Sequence, residues 1–169
     1  MTFDKTLHLV LGLYVVTAIV LLPEKAYDKI ASVVLLPVFA ALSVIDLRRH
    51  VIPDWASATV AVIGLGHGHL SGNLDGTTLI FAAGVLVVLW AGSEAYWRLR
   101  QREALGLGDV KLLAASSILL GQEAFWFGVM LACVGGIVAG LLSGSTRGSG
   151  IPFGPFIAYG VFLTFLIWS

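Results

Sequence analysis

Leu74–Tyr96 reads LDGTTLIFAAGVLVVLWAGSEAY, and between Asp75 and Glu94 it holds no charged residue. Taken as a helix rising about 1.5 Å per residue, the stretch covers most of a hydrocarbon core about 30 Å thick. Outward from it the same character recurs at Leu7–Leu22, Ile30–Ile45, Trp55–Leu70, Val110–Leu120, Phe125–Leu142 and Phe153–Trp168. Of the 169 residues 58% are hydrophobic and 12% charged, against about 25% charged in a soluble domain. Mean hydropathy is +0.95. Polar side chains are too few to cover a globule. The expected fold is all-α: one domain over residues 1–169, a polytopic bundle of about seven transmembrane segments in a lipid bilayer. Val110–Leu120 covers only about half the core and reads as a short helix facing a watery cavity, counted as a crossing all the same.

Lys and Arg are retained near helix ends on the cytoplasmic side. With Arg48, Arg49, Arg98, Arg100 and Arg102 inside, Lys5, Lys111 and Arg147 fall there too, and only Lys25 and Lys29 lie outside. Two spans separate the Arg-rich loops, so an even number of crossings returns the chain to one face. The first run follows Lys5, but no A-x-A site follows it, so it reads as a permanent span. The ten basic and ten acidic residues cancel, which removes the overall basic field that a nucleic-acid partner needs. A single cysteine, Cys133, excludes an internal disulfide and any multi-cysteine metal site.

Ionisable residues at membrane depth are expensive and point to function. Asp46 closes the second run and Asp109 opens the fifth, as a candidate helix N-cap. By parity both lie at the cytoplasmic boundary, where they can meet if their helices pack together. Two carboxylates in hydrogen-bond reach cannot both ionise cheaply. The ionised one activates water as general base, and the protonated one polarises a scissile carbonyl and protonates the leaving amine. That chemistry needs neither metal nor cofactor, and the pair titrates jointly. Gly106 and Gly108 flank Asp109 without a Cβ, which admits an extended substrate strand. Pro53 breaks the helical pattern after Asp46.

These patches resemble the type IV prepilin peptidase family, the bacterial branch of the GxGD membrane aspartyl proteases. They are Asp46 with Ile52-Pro53-Asp54, Arg102-Glu103-Ala104-Leu105-Gly106-Leu107-Gly108-Asp109-Val110-Lys111-Leu112, and Ile151-Pro152-Phe153-Gly154-Pro155-Phe156. The resemblance implies catalysis by Asp46 and Asp109 and removal of the leader from a prepilin or pseudopilin precursor at the cytoplasmic face of the bacterial inner membrane. It also implies the short form associated with Flp-type tight-adherence pili or related secretion systems, cutting without N-methylation.

Other polar residues carry weaker readings. Asp54 is the alternative partner for Asp109, yet the family accepts Asn there, so it is expected to shape the loop. Lys111 either contacts substrate or anchors the inner face. Glu103 reads as an exposed loop acid. His67 and His69 lack a third metal ligand and read as interface polarity. The Ile151–Phe156 patch is either a broken helix beside the site or a simple helix start with Pro in its first turn. A transporter would place acids deep in its spans. Here Glu94, taken as the remaining acid near a span, sits at the inner boundary. A scaffold without activity is the third reading.

Overall fold

The computed structural model describes residues 3–101, 105–142 and 152–169, with side chains from residue 8 onward. Arg102, Glu103, Arg147, Ile151 and the side chain of Lys5, which the sequence reading used, lie outside the described residues. Among the described residues all regular structure is helical: α1 Phe3–Val20, α2 Ala26–Arg49, α3 Asp54–Ser71, α4 Gly76–Arg100, α5 Leu107–Leu142 and α6 Gly154–Trp168.

α5 is two helices joined at Gly121, whose φ of 71° and ψ of 175° break the helical backbone. Glycine meets that left-handed φ without steric cost. The chain doubles back there, so Leu113 before the break and Val129 after it line one cavity against Val85 of α4. The returning half runs antiparallel to α6. Near one end Phe127 packs on Trp168 with ring centroids 5.2 Å apart, and near the other Gly136 faces Phe153. Divided at Gly121, the helices coincide with the seven apolar runs. By length and composition, three are candidate membrane spans: α2, α4 and α5. His8–Val20 and Gly154–Trp168 are shorter apolar helices.

The short run Val110–Leu120 is largely buried against its neighbours. Val110, Leu112 to Ser117 and Leu119 are buried, packed in a half of α5 that carries α3 and α4 on its flanks. α6 is the other hub, touching α1, α2 and α5. Its Ile157, Val161 and Phe162 join Leu35, Phe39 and Leu42 of α2 in a core with almost no exposure. Tyr14 brings α1 onto this core through Phe162 and a hydrogen bond with Ser43. Outward faces are apolar as well, with Ile80 74%, Val88 69% and Leu141 79% exposed. Such a surface is stable when hydrocarbon covers it.

Candidate active site

α2 ends where His50 adopts the left-handed conformation and returns its backbone N–H to the Asp46 carbonyl at 2.9 Å. That puts Asp46 in the last turn. Residues 51–53 lead straight into α3, with Pro53 extended just before its first residue, Asp54. Asp46 is only 5% exposed. Its Oδ2 accepts the Gly154 backbone N–H at 3.0 Å. Gly154 opens α6, so the carboxylate meets both a free backbone donor and the positive end of a helix dipole. Residues 152–156 of the Ile151–Phe156 patch thus lead into a helix start that also, through Gly154, bonds Asp46.

Asp109 lies in the first turn of α5, which begins at Leu107. It is therefore two residues inside the helix and not at its N-cap. Its side chain accepts the backbone N–H of Gly106, and the Gly106 carbonyl accepts from Val110 at 3.1 Å. This is the reach-back half of a capping box, which satisfies one of the donors a helix start leaves free. Asp46 is near enough for its charge to act on Asp109.

The two aspartate-bearing helices do not pack on each other. No residue of α2 comes within 8 Å of α5, Cα to Cα. The arrangement is indirect instead, bridged by α3 and α6, which each touch both. Ile52, 7% exposed, fills the space between them. A Cβ built on Gly108 would stand 2.8 Å from the Ile52 Cβ, and one on Gly154 would stand 3.1 Å from its Cδ1. The space beside Gly108 that the sequence reading assigned to substrate is thus filled by the protein's own isoleucine. The open side of Gly106 faces Asp109, whose Oδ2 would lie 3.2 Å from an added Cβ.

Asp54 and Lys111, two further candidates, find each other: Lys111 Nζ donates to Asp54 Oδ1 at 2.8 Å. Both side chains are largely exposed. A pair in that setting contributes about 1 kcal/mol or less. Glu94 accepts from Arg98 at 2.8 Å within α4.

Reading the sequence missed a second acidic centre. Asp28 is 1% exposed and is hydrogen-bonded to His67 of α3, at the end of the bundle opposite Asp46. Glu94 is therefore not the remaining acid near a span, and His67 is a part-buried partner where His69 is exposed. A His at this depth with no third ligand was a signal to search for a lone acid in the same layer. Among the described residues no group of three or more His, Cys, Asp or Glu converges.

Residues 33–142 match the type IV leader peptidase family. The chain is 33% identical over 162 residues to the prepilin leader peptidase/N-methyltransferase of Aeromonas salmonicida (strain A449), an alignment covering 93% of this chain and 55% of the relative. A protein of the same description from Burkholderia pseudomallei (strain 1026b) is 37% identical over 131 residues, 71% of this chain and 40% of the relative. Another from Escherichia coli (strain K12) is 34% identical over 134 residues, 75% and 59% respectively. The chain thus spans about half the length of these curated relatives. No solved structure matches it significantly.

Proposed function

The chain belongs to the type IV leader peptidase family, and on that premise we propose that it is a membrane aspartyl endopeptidase that cuts the leader from a prepilin-like precursor. Asp46 and Asp109 are its catalytic pair. The observation that carries the reading is the presentation of two carboxylates at one end of the bundle, each held by a backbone N–H at a helix start. They come from helices kept apart by α3 and α6.

A pair of carboxylates can act together on one peptide bond and a water. One carboxylate, ionised, takes a proton from the water as its oxygen attacks the scissile carbonyl. The other, protonated, donates a hydrogen bond to the carbonyl oxygen. Collapse of the tetrahedral adduct breaks the C–N bond, and the proton goes to the departing amine. The pair begins and ends the cycle with one proton between its carboxylates, so its titration belongs to both residues. Gly106 orients Asp109, and Gly154 orients Asp46. The Asp54–Lys111 pair borders the site where substrate chain would pass.

Arg48, Arg49, Arg98 and Arg100 end α2 and α4, the end that carries Asp46. Retention of arginine on the cytoplasmic side supports an active site facing the cytoplasm from the inner membrane. The precursor class that the motifs favour is the Flp or tight-adherence type, or a related secretion pseudopilin. The proposal is confined to peptide cleavage.

The test is co-expression of a tagged prepilin with wild type, Asp46→Asn or Asp109→Asn at matched membrane levels, read by gel shift. Wild type is expected to cut, and each variant to fall below detection while still inserted. Turnover in either variant refutes the pair.

A further inference from the structure

α3 and α4 are consecutive and joined by residues 72–75 only, a length that ordinarily closes an antiparallel helix pair. These two do not close. No residue of one comes within 8 Å of the other, Cα to Cα, and both lean on the first half of α5 instead. A trough of about 520 Å³ is left between them. Ala58 and Ala61 of α3 form one wall, Ala82 and Ala83 of α4 the other, and Ala114 and Ala115 of α5 line the floor. Ala58 and Ala83 are exposed at the rims, whereas both floor residues are buried.

Small side chains on all three sides, with Leu79, Leu86 and Ile118 beside them, admit a helix backbone at short range, the way membrane helices associate. A second observation is independent of that lining. Ser57 belongs to the same trough and is 6% exposed, yet its hydroxyl is buried without any hydrogen-bond partner. Buried polar groups are normally satisfied, so an orphan on the wall of an open groove points to a partner that arrives with a ligand. A lipid acyl chain has no polar atom to offer it, but a peptide main chain has. Asp54 and Lys111 also line the trough. Lys111 lies two positions beyond Asp109, so the groove reaches the end of α5 that carries Asp109.

We propose that the trough between α3 and α4, floored by the first half of α5, seats the membrane-spanning apolar helix of the substrate. Its end unwinds past Asp54 and Lys111 toward the aspartates, and the Ser57 hydroxyl bonds to a main-chain group freed by that unwinding. The inference rests on the leader-peptidase reading for the identity of the occupant.

The test is disulfide trapping in membranes. The background carries Asp46→Asn, to hold substrate uncut, and Cys133→Ser, to remove the exposed native thiol. Ala58→Cys or Ala83→Cys is co-expressed with a tagged prepilin bearing one cysteine in its apolar helix. Val134→Cys, on the 53% exposed face of the second half of α5, is the comparison. Both trough variants are expected to trap the prepilin at least fivefold more than Val134→Cys. Equal trapping at all three positions, or trapping only between two copies of the chain, overturns the proposal. In the active chain Ala83→Phe is expected to raise KM for the full-length prepilin about tenfold at retained kcat, and an unchanged KM overturns it. Trapping does not require catalysis. Trapping without cleavage by wild type would therefore sink the peptidase reading and leave the groove assigned, whereas cleavage without trapping would sink the groove alone.

Discussion

Gly154→Ala isolates the contact that orients Asp46. The added Cβ would lie 2.7 Å from Asp46 Oδ2 and 2.9 Å from its Cγ. Ordinary contact begins near 3.4 Å, so the carboxylate must retreat by 3.4 − 2.7, or 0.7 Å. Ile52 Cδ1 at 3.1 Å stands close by. The retreat also stretches the 3.0 Å bond from the Gly154 N–H. Backbone strain does not enter, because Gly154 is not among the residues with left-handed φ. A misplacement of about 1 Å in a catalytic group costs roughly 10²-fold in rate. A hydrogen bond to a charged group contributes about 1.5 to 3 kcal/mol, equivalent to roughly tenfold to a hundredfold. The two losses overlap, and the expected fall in cleavage rate is about 10²-fold. Initial rates on a tagged prepilin in membranes, normalised to inserted protein, measure it. Gly92→Ala, where nothing lies within 4 Å of the new methyl, should stay within about twofold of wild type. If Gly154→Ala keeps more than a third of the wild-type rate, the claim that this N–H positions Asp46 is wrong.

Two substitutions separate stability from chemistry. At Gly160 a Cβ would meet the Gly128 carbonyl oxygen at 2.7 Å and the Ala132 nitrogen at 3.1 Å. Gly160→Ala should therefore force α6 off α5 at a cost of about 1 to 3 kcal/mol, visible as a lower melting temperature in detergent; an unchanged melting temperature refutes that packing. His67→Ala strips Asp28 of its partner while leaving it buried, which should cost about 3 kcal/mol, whereas Asp28→Leu with His67→Phe recovers most of the loss; a double variant no more stable than the single one would show that the pair is not what stabilises this end.

Apolar runs exposed the elements, because an apolar run is a local property. The run that opens at Phe125 and the one that closes at Leu120 stay distinct in the fold, since Gly121 turns the chain between them. Asp46 and Asp109 were legible for a different reason: acids at run boundaries are costly enough to stand out. Long-range partners were not. Gly154 reaches Asp46 across 108 positions, and a Pro-Phe-Gly-Pro string states only that a helix starts there. Asp28 precedes the apolar run that opens at Ile30 and looks like a solvated charge until His67, 39 positions away, arrives beside it. Gly108 shows the same limit from the other side. Its missing Cβ signalled a close approach, but only the fold says that the neighbour is Ile52.

Those long-range contacts explain why three separated patches act as one site. No Cα of α2 lies within 8 Å of one in α5, so close backbone packing does not fix the separation of their carboxylates. The separation is instead set by third parties. Ile52 stands against Gly108 on one side and Gly154 on the other, and Gly154 is bonded to Asp46. A larger residue at either glycine displaces the same isoleucine and changes the gap between the aspartates without touching the chemistry of either. Loss of Ile52 itself would leave that gap unsupported. On the proposed mechanism the aspartates supply the reactive groups, and the isoleucine packed against two glycines sets how they stand to one another.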